Sequence, residues 1–299
     1  MGPSRGVRSD PPLALLAAAA TGVQVGAAIV ATRFVIAETT PAALALMRYA
    51  IGVLCLVPAL LAAPRVRFAR RDALPIALLG IFQFGVLIAL LNYGMRFVPS
   101  GRAALVFATF PLLTMLFAAA IGRERLDAAK TIGVLLTVAG VGVVLGDRVL
   151  AGGGATDWRG EIAVLASAAV GAVCSVLYRP YLVRYPALPV GALAMLASVI
   201  ALALGAAAEG FFAAPPKITV RGWAAIVFIG VSSGIGYFLW LWALGRASPT
   251  RVTVFLALSP VTAALLGAWL LGEPVSATFI AGLVCVAAGL WAATRAVRG

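Results

Sequence analysis

The sequence predicts an all-α integral membrane protein of ten transmembrane helices, built as two inverted five-helix repeats with the N- and C-termini cytoplasmic. Three observations carry this reading: extreme hydropathy, an internal repeat of fixed offset, and an uneven spread of arginine. The 299 residues are 63% hydrophobic and only 11% charged, with a mean hydropathy of +1.07. A soluble domain carries about 25% charge. Runs of roughly 20 apolar residues recur, each long enough to cross the ~30 Å hydrocarbon core. Lipid offers the backbone no hydrogen bonds, so spans must be helices or closed barrels, and these runs lack the alternation of barrel strands.

The first apolar run covers 12–36. It follows Arg5 and Arg8 as a signal peptide would, but it outlasts an apolar region of about 7–15 residues and is read as a retained helix. The others cover 41–63, 73–95, 99–121, 128–146, 159–182, 188–207, 221–243, 248–271 and 276–296. Proline, glycine or charge fills each break. The glycine run Gly152–Gly154 falls near the middle, dividing residues 1–150 from 151–299. With ten spans both termini share one side. Arg48 aside, fifteen lysines and arginines lie on that side and seven on the other, which places the termini in the cytoplasm.

The net charge of +13 comes almost wholly from these loop arginines. No helix bears a basic stripe, so nucleic acid is excluded as a partner and the lipid bilayer is expected. Cys55, Cys174 and Cys285 sit inside apolar runs without metal-ligand spacing. With no histidine in the chain, imidazole metal sites and serine–histidine chemistry are excluded, and no cofactor is expected.

The repeat has one ungapped offset. Phe110-Pro111 and Ser259-Pro260 lie 149 residues apart, as do Glu124 and Glu273, Arg102 and Arg251, and Tyr93 and Trp242. Gly22 and Gly171, Gly133 and Gly282, and Gly140 and Gly289 obey the same offset. Five helices per half is an odd number, so the halves enter the membrane from opposite sides. Inverted repeats with a site at their interface are typical of transporters that expose it alternately to either side.

The chain resembles the drug/metabolite transporter superfamily, specifically its EamA-type ten-helix exporters. The marks are Arg48 after Ala45-Leu46-Met47, the Ser100-Gly101 and Pro249-Thr250 helix starts, the mid-helix prolines Pro111 and Pro260, the glutamates Glu124 and Glu273, and the spaced glycines of helices five and ten. This resemblance implies export of amino acids or related small metabolites across a bacterial inner membrane.

All ten acids lie at helix ends or in loops, with none near mid-membrane. A proton-coupled pump needs a titratable group there, and a buried cation needs a counter-charge. Facilitated diffusion by alternating access therefore fits better than proton antiport. Pro111 and Pro260 each remove a backbone N–H and free the carbonyls of Phe107 and Leu256, which is read either as a structural kink or as a bend beside a cavity. Polar and aromatic side chains share single helical faces: Thr21 and Gln24; Gln83, with Asn92 and Tyr93 further out; Ser175 and Tyr178; and Ser233, Tyr237 and Trp240. They are read as lining a cavity for a small-molecule substrate or, alternatively, as making interhelical hydrogen bonds. Amides, hydroxyls and rings without a fixed acid suit a neutral or zwitterionic cargo. Arg48 is placed toward the outside, either snorkelling to headgroups or forming a cationic outer vestibule. Glu124 and Glu273 are expected to pair with loop arginines or to cap neighbouring helices. The glycines of helices five and ten are expected to serve as a scaffold seam or as a homodimer seam. Rival readings are efflux of drugs or lipophilic cations, carriage of nucleotide sugars or phosphate esters, and an intramembrane enzyme, for which no nucleophile–base set exists.

Overall fold

A computed structural model of the chain describes residues 12–64, 66–123, 128–150 and 158–295. The described residues form helices and no strands. The first half contains α1 (Pro12–Val35), α2 (Pro41–Ala62), α3 (Arg70–Gly94), α4 (Ser100–Ala120) and α5 (Ala128–Leu150). The second contains α6 (Arg159–Arg184), α7 (Ala187–Ala208), α8 (Val220–Leu244), α9 (Arg251–Leu271) and α10 (Ala277–Arg295). Eight of these are long and apolar enough to cross a membrane. In α5 and α10 the apolar stretches are shorter, Thr131–Val144 and Ala277–Gly289. In α5, Lys130 on one side and Asp147 with Arg148 on the other confine it. The chain is a multi-pass membrane protein.

The two halves interlock rather than sit side by side. Self-paired contacts join α2 to α7, α4 to α9 and α5 to α10, and the contacts of α1 with α8 and α9 are mirrored by those of α6 with α3 and α4. A pseudo-twofold axis that exchanges the halves produces this pattern. The α5–α10 seam shows it in detail. A Cβ on Gly289 would stand 2.6 Å from the Gly133 carbonyl oxygen, and one on Gly140 would stand 2.6 Å from that of Gly282. The offset of 149 converts the first contact into the second. The glycines of this seam are thus spent inside one chain, letting two backbones touch.

Both proline helices are interrupted. α4 breaks after Phe107 and resumes at Phe110, with Pro111 in its new first turn. α9 passes through a 3₁₀ turn at Phe255–Ala257 and resumes at Leu258, ahead of Pro260. The carbonyl of Leu256, which Pro260 cannot serve, accepts instead from Ser259 Oγ at 2.7 Å. In α3 the irregularity is a π-helical stretch, Ile81–Val86. One extra residue in a turn re-aims a side chain, and such bulges concentrate at functional sites.

Carboxylates stitch neighbouring helices at their ends. Glu209, after α7, accepts from the N–H groups of Ala42 and Ala43 at the start of α2, at 3.0 and 3.2 Å. Glu38, after α1, accepts from Thr219 N at the start of α8, at 2.8 Å. Glu273, after α9, accepts from Ser100 N at 3.1 Å and from the Ser100 hydroxyl, and its carboxylate lies 3.8 Å from Arg33. An anion is stabilised at a helix start, where N–H groups lack partners. Gly272 adopts a left-handed conformation (φ 64°), ending α9 and turning Glu273 back toward α4. Glu273 therefore caps a neighbouring helix and pairs with Arg33. Glu124 and Arg125 lie outside the described residues. Asp72 accepts from Arg184 Nη1 at 2.6 Å and from the Tyr185 hydroxyl at 2.7 Å, tying α3 to α6.

Candidate functional site

A cavity lies between the halves. Its wall comprises Thr21, Gln24, Val25, Ala28, Ile29 and Thr32 of α1, Arg48 of α2, and Gln83, Leu87, Ile88 and Leu91 of α3. Phe107 and Phe110 of α4, Gly236, Tyr237 and Trp240 of α8, and Leu256 of α9 complete it. The cavity volume is about 40 Å³, so in this state the walls stand nearly closed on one another. Among the described residues no carboxylate lines it.

Each wall residue is placed by its helix. The α1 residues recur at three- and four-residue spacing, one continuous face. Gln24 Nε2 donates to Ser232 Oγ of α8 at 3.2 Å, and Thr21 Oγ1 contacts the carbonyl oxygens of Ala17 and Gly236 at 2.8 and 3.4 Å. Tyr237 packs edge-on against Phe84, with ring centroids 4.5 Å apart, and its hydroxyl meets that of Tyr49 at 3.2 Å. Trp240 stands edge-on to Phe110 at 6.1 Å. Arg48 is 5% exposed, and its Nε donates to Ser233 Oγ at 2.6 Å.

The sequence-selected residues therefore separate into groups. Thr21, Gln24, Gln83, Tyr237, Trp240 and Arg48 meet around this space. Ser233 stands behind Arg48 as its hydrogen-bond partner. The Arg48 side chain is buried in the cavity wall, where the hydroxyl on α8 accepts from its Nε. Ser175 donates to the Gly171 carbonyl at 2.8 Å within its own helix. Tyr178 is buried, and its hydroxyl has no partner among the described residues. Asn92 Nδ2 donates to the Pro41 carbonyl at 2.9 Å, tying α3 to α2. Tyr93 packs on Phe97 at 5.2 Å. None of these last four lines the cavity; for Ser175 and Tyr178 the reason is that the inward stripe of α6 is closed, since a Cβ on Gly171 would strike the Phe110 ring. Pro111 and Pro260 do not line it either, but Phe107 and Leu256, four residues before each, do.

The repeat held a signal for the apolar half of the wall. Leu87, Ile88 and Leu91 of α3 are related by 149 residues to Gly236, Tyr237 and Trp240 of α8, and Phe107 is so related to Leu256. Transferring the α8 stripe to α3 identifies them. Their plain aliphatic chemistry gave no other cue.

The sequence profile of the EamA-like transporter family matches residues 12–146 and again 158–295. A relative from Streptantibioticus cattleyicolor, described as a "Probable terminal-alkyne amino-acid exporter", is 34% identical over 221 residues, covering 73% of this chain and 72% of its own. An "Uncharacterized transporter" of Archaeoglobus fulgidus is 27% identical over 276 residues, covering 90% of this chain and 94% of its own. A solved crystal structure superposes with a TM-score of 0.75 at 24% identity, covering 97% of this chain and 98% of that one, which speaks for the fold. With its two repeats matched and a cavity between them, this chain is a membrane transporter belonging to the EamA-like transporter family.

Proposed function

We propose that this protein exports amino acids or closely related small metabolites by alternating access, as a uniporter in a bacterial inner membrane. In this reading all ten helices span, residues 1–150 and 151–299 form the opposed halves, and both termini are cytoplasmic. The observation that carries it is the central cavity, where two amides, a buried guanidinium and an aromatic wall meet between the halves. A zwitterion with an apolar side chain matches such a lining. The name of the Streptantibioticus relative points to the same cargo class.

The asymmetry of the cavity supports alternating access. α1 contributes a whole face, whereas its repeat partner α6 contributes nothing. In an inverted repeat the opposite state follows from exchanging the halves. There, α6 positions such as Val170, Val173 and Cys174 replace Thr21, Gln24 and Val25. Uniport is favoured because no carboxylate among the described residues lines the cavity to carry a coupled proton. A lipophilic cation would meet Arg48 there without a counter-charge. A phosphate ester would find one cation, since Arg48 is the only basic residue of the described wall. The test is efflux of labelled amino acids from proteoliposomes. Release above protein-free vesicles is expected, and no release of any amino acid would overturn the reading.

A further inference from the structure

Two side chains in the cavity wall carry polar groups that no other described residue answers, and the two are of opposite kind. The first is the Arg48 guanidinium. Its Nε is used on Ser233 Oγ, and Ser233 directs its own proton to the Ile229 carbonyl at 2.6 Å. The serine oxygen is thus oriented to accept, and the guanidinium is held in one pose. Its carbon lies 5.6 Å from the Tyr49 ring centroid. No carboxylate of the described residues pairs with it. Glu38, Asp72, Glu161, Glu209 and Glu273 are all engaged at helix ends. A buried cation without a counter-charge is costly, and its remaining N–H groups form the planar fork that suits a carboxylate.

The second is Gln83, 4% exposed, whose Oε1 is buried without a hydrogen-bond partner among the described residues. It sits in the π-helical stretch of α3. Burying such an acceptor unpaired is costly. The residues that follow these two in sequence, Tyr49 and Phe84, stack with centroids 5.4 Å apart. That contact holds α2 and α3 together at the level of Arg48 and Gln83. An unanswered donor fork and an unanswered acceptor thus share one cavity, beside the rings of Phe110 and Trp240.

We propose that the cargo is bound as an α-amino-acid zwitterion, its carboxylate on the Arg48 guanidinium, its ammonium on Gln83 Oε1, and its apolar side chain against the Phe110–Trp240 wall. This rests on the export reading above and assigns its recognition chemistry. The carboxylate gains two charge-assisted hydrogen bonds and supplies the counter-charge that the fold lacks. The ammonium satisfies the glutamine oxygen. Removing either group from the ligand leaves its protein partner buried and unpaired, a stronger discrimination than a lost contact alone.

The test measures binding to the purified full-length protein in lipid nanodiscs. The ligands are phenylalanine, phenethylamine without the carboxylate, and 3-phenylpropionate without the ammonium. The wild type is expected to bind phenylalanine about tenfold or more tighter than either truncated ligand. In Arg48→Gln, phenylalanine should lose its advantage over phenethylamine, and phenethylamine should bind at least as well as in the wild type, since no unpaired cation then faces it. In Gln83→Leu, phenylalanine should fall to the level of 3-phenylpropionate. A uniform loss for all three ligands in Arg48→Gln would assign Arg48 a structural role and overturn the pairing. Equal binding of amine and amino acid by the wild type would overturn it without any variant, so a misfolded mutant does not block the test. Binding of phenylalanine without these differences refutes the pairing alone. No binding of any of the three refutes the pairing, and the efflux assay then judges the export reading separately.

Discussion

Glu273, one residue beyond the left-handed Gly272, accepts hydrogen bonds from both the backbone N–H and the hydroxyl of Ser100. The end of one half is thereby fastened to a helix start in the other. Glu273→Ala removes a charged cap and leaves the first N–H groups of α4 unserved. We expect a loss of about 1–2 kcal/mol, read as a lowered melting temperature in detergent. Glu273→Gln should recover part of it, because an amide oxygen still accepts. No change in either variant would show that the contact is dispensable.

The α5–α10 seam permits a controlled comparison within one helix. A Cβ on Gly140 would stand 2.6 Å from the Gly282 carbonyl oxygen, whereas one on Gly142 meets nothing within 4 Å. Gly140→Ala should destabilise by about 1–3 kcal/mol through overpacking. Gly142→Ala should be neutral or stabilising by up to about 1 kcal/mol, because alanine is the better helix former. Thermal unfolding of the two variants decides the matter, and equal effects would contradict the seam.

Tyr237 separates packing from polarity in the cavity wall. Tyr237→Phe keeps the edge contact with Phe84 and gives up only the hydroxyl contact with Tyr49. It should cost about 0.5–1.5 kcal/mol. Tyr237→Ala empties an aromatic site and should cost about 3–5 kcal/mol. Matching losses in urea or heat denaturation would mean that the ring carries none of the packing.

Exchange of the halves makes Val25 and Cys174 equivalent positions, 149 residues apart. Val25 lines the central cavity, while Cys174 is 2% exposed and faces Leu79 of α3. In a background with Cys55→Ser and Cys285→Ser, saturating cargo should raise the maleimide labelling rate of Cys174. It should lower that of Val25→Cys carrying Cys174→Ser. Rates that ignore cargo would argue against exchange.

Much of the architecture was legible because bilayer thickness sets helix length and because the offset of 149 survives without gaps. The α1 face could be extended from Thr21 and Gln24 by helical spacing alone, through Ala28 to Thr32. Burial of the Arg48 side chain was not legible for a physical reason: an arginine in an apolar helix can reach headgroups, and only the tertiary contact with Ser233 shows it turned into the protein. Asn92 and Tyr178 were selected for polarity, yet polarity does not say which neighbour a helix face meets. The stripe of α6 was read as cavity wall or as a source of interhelical hydrogen bonds because Ser175 and Tyr178 share one helical face. The structure shows it packed shut against Phe110 and Leu87, a tertiary contact that no local pattern encodes.

Passive exchange of amino acids through a cavity that no carboxylate among the described residues lines is checked by counterflow in proteoliposomes. Vesicles loaded with unlabelled amino acid should accumulate the labelled form transiently, to the same extent with equal pH on both sides and with a pH difference. Counterflow that appears only with the pH difference would contradict uniport, and its absence for every amino acid would contradict the assignment of cargo.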